Sequence, residues 1–452
     1  MKLLINDKLL YLRFGSSDEG RLIKDFFSYK DYGNVFAKGT FNKKKIRHVC
    51  FLRSNKEHNF LHSGFLQELL IFCKENTISI TELRDDRTKF EFQKKTYSNE
   101  ELSSLLPDFN YKEHQIRALK AMLKTNVGII ESSTSSGKTE LFIAYIKMAK
   151  LPTLIIMNRV SLAIQTVDRL RKNGIQKVGI CTGQKVIDGD VVVATVGSIG
   201  KLPNLTRFQV LIMDEVHRAQ AKQFQDFLSK TSYPIRFGFS ATPNCGDKYL
   251  YAKIRQFMGS VICKIEAQEL LENGVIALPK IQFIQSISVP TLDWPAAVYK
   301  CIIWNKNRNE QIKKLTELHS EQTLILLHQI DHGKILNELI PDSVFVSGIV
   351  SPDERKEIIE KFENGEIKTI ISTSVFNEGI SINSIKVLII AGGGKSKIET
   401  VQRLGRALRI KPGKKDCIIY DFFDKGNRFT EAHSEMRLNI YKKAGFKDIK
   451  II

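Results

Sequence analysis

At 452 residues the chain is long enough for two or three domains, and its 42% apolar content can fill sizeable cores. Its 69 Lys and Arg against 49 Asp and Glu give a formal net charge of +20, an excess that attracts polyanions, nucleic acid above all. No apolar run approaches the roughly 18–20 residues of a membrane helix, MKLLINDKLLYLRF lacks the pattern of a signal peptide, and the seven cysteines contain no Cys-x-x-Cys pair. A membrane span, a secretory leader, a disulfide framework and a zinc site are therefore not expected, and a reducing cytoplasm is the expected setting.

Residues 1–95 alternate short apolar runs with helical patterns. LLYLRF (9–14), HVCFLR (48–53) and ISITEL (78–83) read as strands, and SGFLQELLIFCKEN (63–76) has helical spacing. A small α+β domain with a basic loop, KKKIR at 43–47, is expected. From about 108 the pattern changes. VGIIES, TLIIMN, VGICTG, VVVATV, VLIMDE and RFGFSAT are near-continuous apolar runs ending in polar or small residues, as buried parallel strands do. Helical stretches such as GKTELFIAYIKMAK and SLAIQTVDRLRKNG lie between them. The same alternation returns after about 290, with QTLILLHQ, SVFVSG, KTIISTS, KVLIIAG and DCIIYDF. The predicted fold is α/β: two tandem parallel-sheet lobes, 96–285 and 286–452, preceded by a small α+β N-terminal domain. IQSISVPTLDWP (284–295) is the expected crossing between lobes.

ESSTSSGKT (131–139) follows the first of the buried strands and opens a helix. Backbone N–H groups at such a turn, with the positive end of the helix, can cradle phosphates. Ser133, Thr134, Ser135, Ser136 and Gly137 would line that cradle. Lys138 would reach the β/γ-phosphates of a nucleotide, and the Thr139 hydroxyl would ligate Mg²⁺. Ser132 stands where the phosphate-loop pattern has glycine. A second apolar strand, VLIMDEVH (210–217), ends in two carboxylates. Asp214 is placed to hold the magnesium shell and Glu215 to orient and deprotonate an attacking water; an acidic pair capping a helix is the plainer alternative.

DEVH followed by FSATP (239–243) resembles motifs II and III of the superfamily 2 helicases. Further segments fall in the order of that family. YKEHQIRAL (111–119) resembles the adenine-reading segment and NRVSLAIQ (158–165) motif Ia. Thr182-Gly183 and ATVGSI (194–199) resemble motifs Ib and Ic, TLILLHQIDHGKIL (323–336) motif IV, STSVFNEGISI (372–382) motif V, and QRLGRALR (402–409) motif VI. The resemblance spans roughly residues 108–425 and implies two RecA-like lobes that bind and hydrolyse ATP with Mg²⁺. It makes Gln115 the base-reading residue, puts Gly379 of motif V against ATP, and has His217 and Gln402 link the lobes. Ser240 and Thr242 would transmit the state of the site.

Arg403, Arg406 and Arg409 recur at three-residue spacing and so share a helix face. A solvated basic stripe is one reading. The family resemblance gives the other, in which Arg406 and Arg409 face the γ-phosphate from across the cleft. It also places Arg159, Thr182, Gly183, Thr195, Ser347, Gly348 and Thr373 at loop positions that contact a nucleic-acid backbone.

Within the superfamily, the spelling DEVH and the lack of large insertions argue against the DEAD-type RNA helicases, whereas chain length, the small N-terminal domain and the run GISINSIKVLIIAGGGKSKIETVQRLGRALR (379–409) are similar to UvsW-type phage DNA helicases. That likeness implies a monomeric, ATP-driven motor that unwinds or branch-migrates forks and Holliday junctions, with residues 1–95 as a nucleic-acid-binding domain. An RNA helicase, or an ATP-gated clamp that does not turn over, are the alternatives.

Overall fold

The structure, a computed structural model, describes the chain except residues 33–45, 56, 106–110, 133–135, 245, 276, 374–384, 395–415, 444–445 and 447 and the side chains at 278 and 352. It divides into two compact units, residues 1–132 with 137–265 and residues 133–136 with 266–452.

The first unit begins with β1 (Lys2–Ile5), β2 (Leu9–Arg13), α1 (Ser17–Phe26), the ribbon β3 (Ser28–Asp31) and β4 (Arg47–Cys50), then β5 (Arg53–Ser54), β6 (Asn59–His62), α2 (Leu66–Glu75) and β7 (Glu82–Asp85). Five strands form one mixed sheet in the order β5-β6-β2-β1-β7, with only the β1–β7 pair parallel. Its period-2 alternation sends Leu3, Ile5, Leu10, Leu12 and Leu61 into a core shared with Ile23 and Phe27 of the α1 region and Leu69 and Cys73 of α2. Ser16 caps α1 by accepting from the Glu19 N–H at 3.3 Å.

Two strands predicted here differ. HVCFLR splits at Phe51, whose N–H donates to the Phe27 carbonyl at 2.9 Å and whose ring enters the core. ISITEL joins the β1 ladder only over Glu82–Asp85, its earlier part being held by the Thr81 N–H donating to the Met1 carbonyl at 2.9 Å while Ile78 is buried in the core.

This N-terminal portion is docked on the parallel sheet that follows it. The buried Arg236 donates to the Asp7 carbonyl at 2.7 Å and the Ser63 hydroxyl at 2.7 Å, and Arg255 pairs with Glu68. Gly64 lies so close to the Arg255 and Gln256 carbonyls that a Cβ there has no room. Burying Arg236 without these acceptors would cost several kcal/mol.

The parallel sheet is built from β8 (Val127–Ser132), β9 (Thr153–Met157), β10 (Val178–Cys181), the short β11 (Val186–Ile187), β12 (Val191–Thr195), β13 (Val210–Asp214), β14 (Ile235–Ser240) and β15 (Val261–Ile265), ordered β11-β10-β12-β9-β13-β14-β8-β15. Every pair but β10–β11 is parallel. Helices α3 (Asn99–Ser103), α4 (Glu113–Lys124), α5 (Lys138–Ala149), α6 (Val160–Lys172), α7 (Lys222–Lys230) and α8 (Lys248–Met258) accompany it. Continuous burial from Val191 to Thr195 is the signature of a strand covered on both faces.

The second unit opens with α9 (Ala267–Glu272) and β16 (Leu278–Ile287). The short α10 (Trp294–Ala297), α11 (Lys306–Glu317), β17 (Thr323–Leu326), α12 (Ile330–Leu339), β18 (Ser343–Val346), α13 (Pro352–Glu363), β19 (Thr369–Ser372), β20 (Val387–Ile390), β21 (Asp416–Lys425), α14 (Arg428–Lys443) and β22 (Ile449–Ile451) follow. Its seven strands run β18-β19-β17-β20-β21-β16-β22, all parallel. The segment 284–295, read from sequence as a crossing, therefore begins inside this sheet. β16 pairs with β21 over its whole length, from Leu278↔Asp416 to Ile287↔Lys425, a partner far away in sequence that no local pattern reveals.

Candidate nucleotide site

β8 carries the chain to Ser132, and α5 starts at Lys138 with Gly137 as its N-cap. Gly137 has φ +80°, and a Cβ there would run into the Gln115 amide, so this position needs glycine twice over. Ser132 has no such demand. It lies in extended backbone, paired with Ile265 of β15, which is why serine is tolerated where the phosphate-loop pattern has glycine. Its hydroxyl is buried with no hydrogen-bond partner among the described residues.

Gln115, buried on α4, uses its Oε1 to accept the Lys112 N–H at 2.9 Å and turns its amide toward Gly137. The residue expected to read adenine thus sits against the loop expected to hold phosphate. One turn into α5, buried Glu140 is ion-paired with Arg169 of α6, a link that anchors the start of the helix.

At the end of β13 the structure brings Asp214 and Glu215 within electrostatic reach of Lys138. Burial, only partly opposed by Lys138, pushes the Asp214 carboxyl up to about 6, with the Glu215 charge adding to the rise. Burial would raise Glu215 too, but Lys138 and His217 outweigh it and hold the carboxyl at about 2. Glu215 takes φ +51°, a left-handed conformation that costs a non-glycine residue about 1 kcal/mol.

The Asp214 Oδ1 is buried with no hydrogen-bond partner among the described residues. A carboxylate oxygen left this way, beside a lysine and at the mouth of a parallel sheet, fits a hard cation. Mg²⁺ is such a cation, taking one or two protein ligands and filling its shell with water and phosphate oxygens. Asp214 and Thr139, the second residue of α5, are the residues that would hold it.

His217 is buried, its Nδ1 lying 3.3 Å from Glu215 Oε2 and 3.0 Å from the Ser240 hydroxyl at the end of β14. Ser240 Oγ in turn accepts the Thr242 N–H at 3.1 Å. The carboxylate pair and the Ser-Ala-Thr segment are thus joined through one imidazole.

The residues read as backbone contacts lie at carboxyl ends of strands. Arg159, Thr182 with Gly183, and Thr195 come at the ends of the neighbouring strands β9, β10 and β12, and Ser347 with Gly348, and Thr373, follow the neighbouring β18 and β19. Thr182, Thr195, Ser347 and Thr373 are buried, and Thr195 shares a hydrogen bond of 3.0 Å with Ser198. Gly183 and Gly348 are exposed. Lys201, which donates to the Gly183 carbonyl at 2.8 Å, was missed in the sequence because one lysine among 69 basic residues carries no signal. Glu140 and Arg169 were missed because their pairing exists only once α5 and α6 pack. Ser136 is buried. Ser133, Thr134, Ser135, Gly379, Gln402, Arg406 and Arg409 lie outside the described residues.

Residues 108–245 match the family described as Type III restriction enzyme, res subunit, and residues 307–411 match the Helicase conserved C-terminal domain. The chain is 25% identical over 364 residues to the DNA 3'-5' translocase XPB2 of Sulfurisphaera tokodaii, covering 70% of this chain and 82% of that protein. It is 27% identical over 284 residues to the ATP-dependent DNA helicase uvsW of Enterobacteria phage T4, covering 58% of this chain and 56% of that one. In three dimensions it is similar to S. cerevisiae Dbp5 bound to RNA and ADP BeF3, with a TM-score of 0.57 at 16% identity over 78% of this chain and 92% of that chain. That likeness concerns the tandem-lobe fold.

Proposed function

The chain belongs to the superfamily 2 helicases, and from that premise we propose that it is an ATP-dependent DNA helicase or translocase that remodels branched DNA such as forks and Holliday junctions. The observation that carries the reading is the constellation in the first unit: Lys138 against Asp214 and Glu215, with His217 joining Glu215 to Ser240. Two of its similar proteins are named as a DNA translocase and a DNA helicase, and the net charge of +20 suits a phosphate backbone.

Each side chain has a task that its surroundings support. Lys138 holds the β/γ-phosphates of ATP. Asp214 and Thr139 hold magnesium, which when bound neutralises charge on the phosphate oxygens. Glu215, kept ionised by Lys138 and His217, accepts a hydrogen bond from the attacking water and takes its proton. His217 reports the charge state of that carboxylate to Ser240 through the 3.0 Å hydrogen bond, and Thr242 is tied to the same hydroxyl. Arg406 and Arg409 complete the charge around the γ-phosphate in this proposal.

The test is phosphate release from ATP with no nucleic acid, with forked DNA, and with an RNA duplex. Strong stimulation by forked DNA, above that by RNA, supports the reading. Stimulation by RNA alone turns it into an RNA helicase, and hydrolysis indifferent to both removes the motor.

A further inference from the structure

The N-terminal sheet has two unlike faces. One is the leucine-lined core face already described. On the other, the pairing register aligns one residue from each strand in a row across the sheet: Arg53, Phe60, Tyr11, Leu4 and Arg84. Leu4, Tyr11 and Phe60 are only half-buried, so an aromatic and apolar stripe meets solvent between two guanidinium groups. The Tyr11 ring stands 5.6 Å from the His58 ring, edge-on, and 6.5 Å from the Phe60 ring. The next row on the same face brings Lys2, Arg13 and Glu82 together. A groove of about 430 Å³ runs over this surface, lined among others by Tyr11, Leu4, His58, Arg13 and Lys2.

The charges decide what fits. Lys2 is paired with Glu82 at 2.6 Å and Arg84 with Asp86 at 2.8 Å. Arg13 and Arg53 are exposed and form no ion pair among the described residues. A face with rings at its centre and exposed guanidinium groups beside them is complementary to a chain that offers flat π-faces and regular negative charge. Single-stranded nucleic acid does so; a duplex hides its base faces in the stack.

We propose that this sheet face is a binding platform for single-stranded nucleic acid, with a base stacked on Tyr11 beside Phe60 and His58, and phosphates against Arg13 and Arg53. The proposal rests on the nucleic-acid reading above and deepens it, assigning the single-stranded product of unwinding to a named surface outside the two RecA-like sheets.

The full chain would be titrated against a fluorescent oligothymidylate of about 10 nucleotides, within the length such platforms cover, with forked-DNA-stimulated phosphate release measured on the same preparations. Tyr11→Ala is expected to weaken oligothymidylate binding roughly 5- to 100-fold, while Tyr11→Phe binds like the parent and DNA-free hydrolysis is unchanged in both. Arg13→Glu combined with Arg53→Glu is expected to weaken binding and flatten its salt dependence by about 0.7 per lost contact. Parental affinity in both Tyr11→Ala and the double arginine variant would overturn the platform, even where forked DNA still stimulates the parent. Loss of stimulation in the parent, with the Tyr11→Ala binding defect intact, would instead sink the motor and leave the platform standing. A concentration-dependent dimer abolished by Tyr11→Ala, with oligonucleotide affinity untouched, would show the face to be a protein contact and overturn the proposal.

Discussion

Each unit holds a cluster of buried charge, and the two clusters are treated in opposite ways. In the second unit, buried Arg308 donates to Asp424 at 2.5 Å and to the Ala391 carbonyl at 2.9 Å, with its guanidinium 3.9 Å above the Phe422 ring. Arg437 grips Asp421 at 3.0 and 3.1 Å and donates to the Gly394 and Phe422 carbonyls, while Tyr441 donates to the same carboxylate at 2.6 Å. These four charges tie α11, β21 and α14 to the end of β20, each paired inside the fold with an opposite charge. In the first unit, Asp214 keeps an oxygen with no hydrogen-bond partner among the described residues, and Glu215 bends its backbone into the left-handed region beside it. Buried charge with its partners supplied holds a structure together. Buried charge left wanting, next to a lysine, is poised for a ligand.

The contrast can be broken by mutation, and the largest effect belongs to the unsatisfied side. Glu215→Gln is expected to lower the hydrolysis rate by about 10²–10³-fold or more while ATP still binds, since only the proton acceptor is lost; single-turnover kinetics would show it. Turnover at the parental rate would remove Glu215 from its role. Next comes the satisfied side. Asp421→Asn leaves the Arg437 cation without its counter-charge, and about 3–5 kcal/mol of stability should vanish in urea unfolding.

The same logic gives Asp214→Asn the opposite sign. With its carboxyl pushed up to about 6 in the fold against an ordinary value of 3.8, ionised Asp214 destabilises the nucleotide-free protein at neutral pH. The contribution of the protonated form is present below pH 4 and lost as pH rises through 6. Asp214→Asn should therefore stabilise the nucleotide-free, magnesium-free protein at pH 8 by on the order of 2 kcal/mol, seen as a raised melting point, and abolish hydrolysis. A lowered melting point would show that the carboxylate is structural.

A smaller, pH-driven effect touches both units. His62 in the first and His332 in the second are each held down to about 3, chiefly by burial. A depressed folded value means that stability is present above pH 6.5 and is lost as pH falls toward 3. Unfolding at pH 5 should be easier than at pH 7 by about 2 kcal/mol per histidine, and His332→Asn, which keeps a side chain able to bond Asn309, should flatten that slope. The smallest change is expected from Ser132→Gly. Because Ser132 is in extended strand, restoring the phosphate-loop glycine should leave the KM for ATP within about twofold and cost roughly 0.5–1 kcal/mol in strand stability. A large gain in ATP affinity would show that serine strains the loop.

Most parallel strands were legible in the chain, because strands covered on both faces must be apolar throughout and then stop at polar residues, as Val191–Thr195 and Val210–Asp214 do. β15, β16 and β22 were not: VICKI and IKI are short and broken by a lysine, and LPKIQFIQSI alternates, with its partner β21 remote. The short strands of the N-terminal sheet were only partly legible, since Phe51 and Ile78 turn into the core where their neighbours pair. At the site, Gly137, Lys138 and Asp214 were singled out by residue type and spacing and His217 by the family resemblance, but the Glu140–Arg169 pair and the hydrogen bond between His217 and Ser240 were not, each joining residues on separate elements.

By itself the order of amino acids determined the alternation of strand and helix, the residue types at the strand ends and the charge of the whole, because these depend on local pattern and composition. Tertiary structure alone decided that the N-terminal sheet docks through Arg236 onto the sheet that follows it, that one carboxylate rises to about 6 while its neighbour falls to about 2, and that Arg53, Phe60, Tyr11, Leu4 and Arg84 fall in line. Burial, distance and strand register set those outcomes, and all three come into being only when remote segments meet.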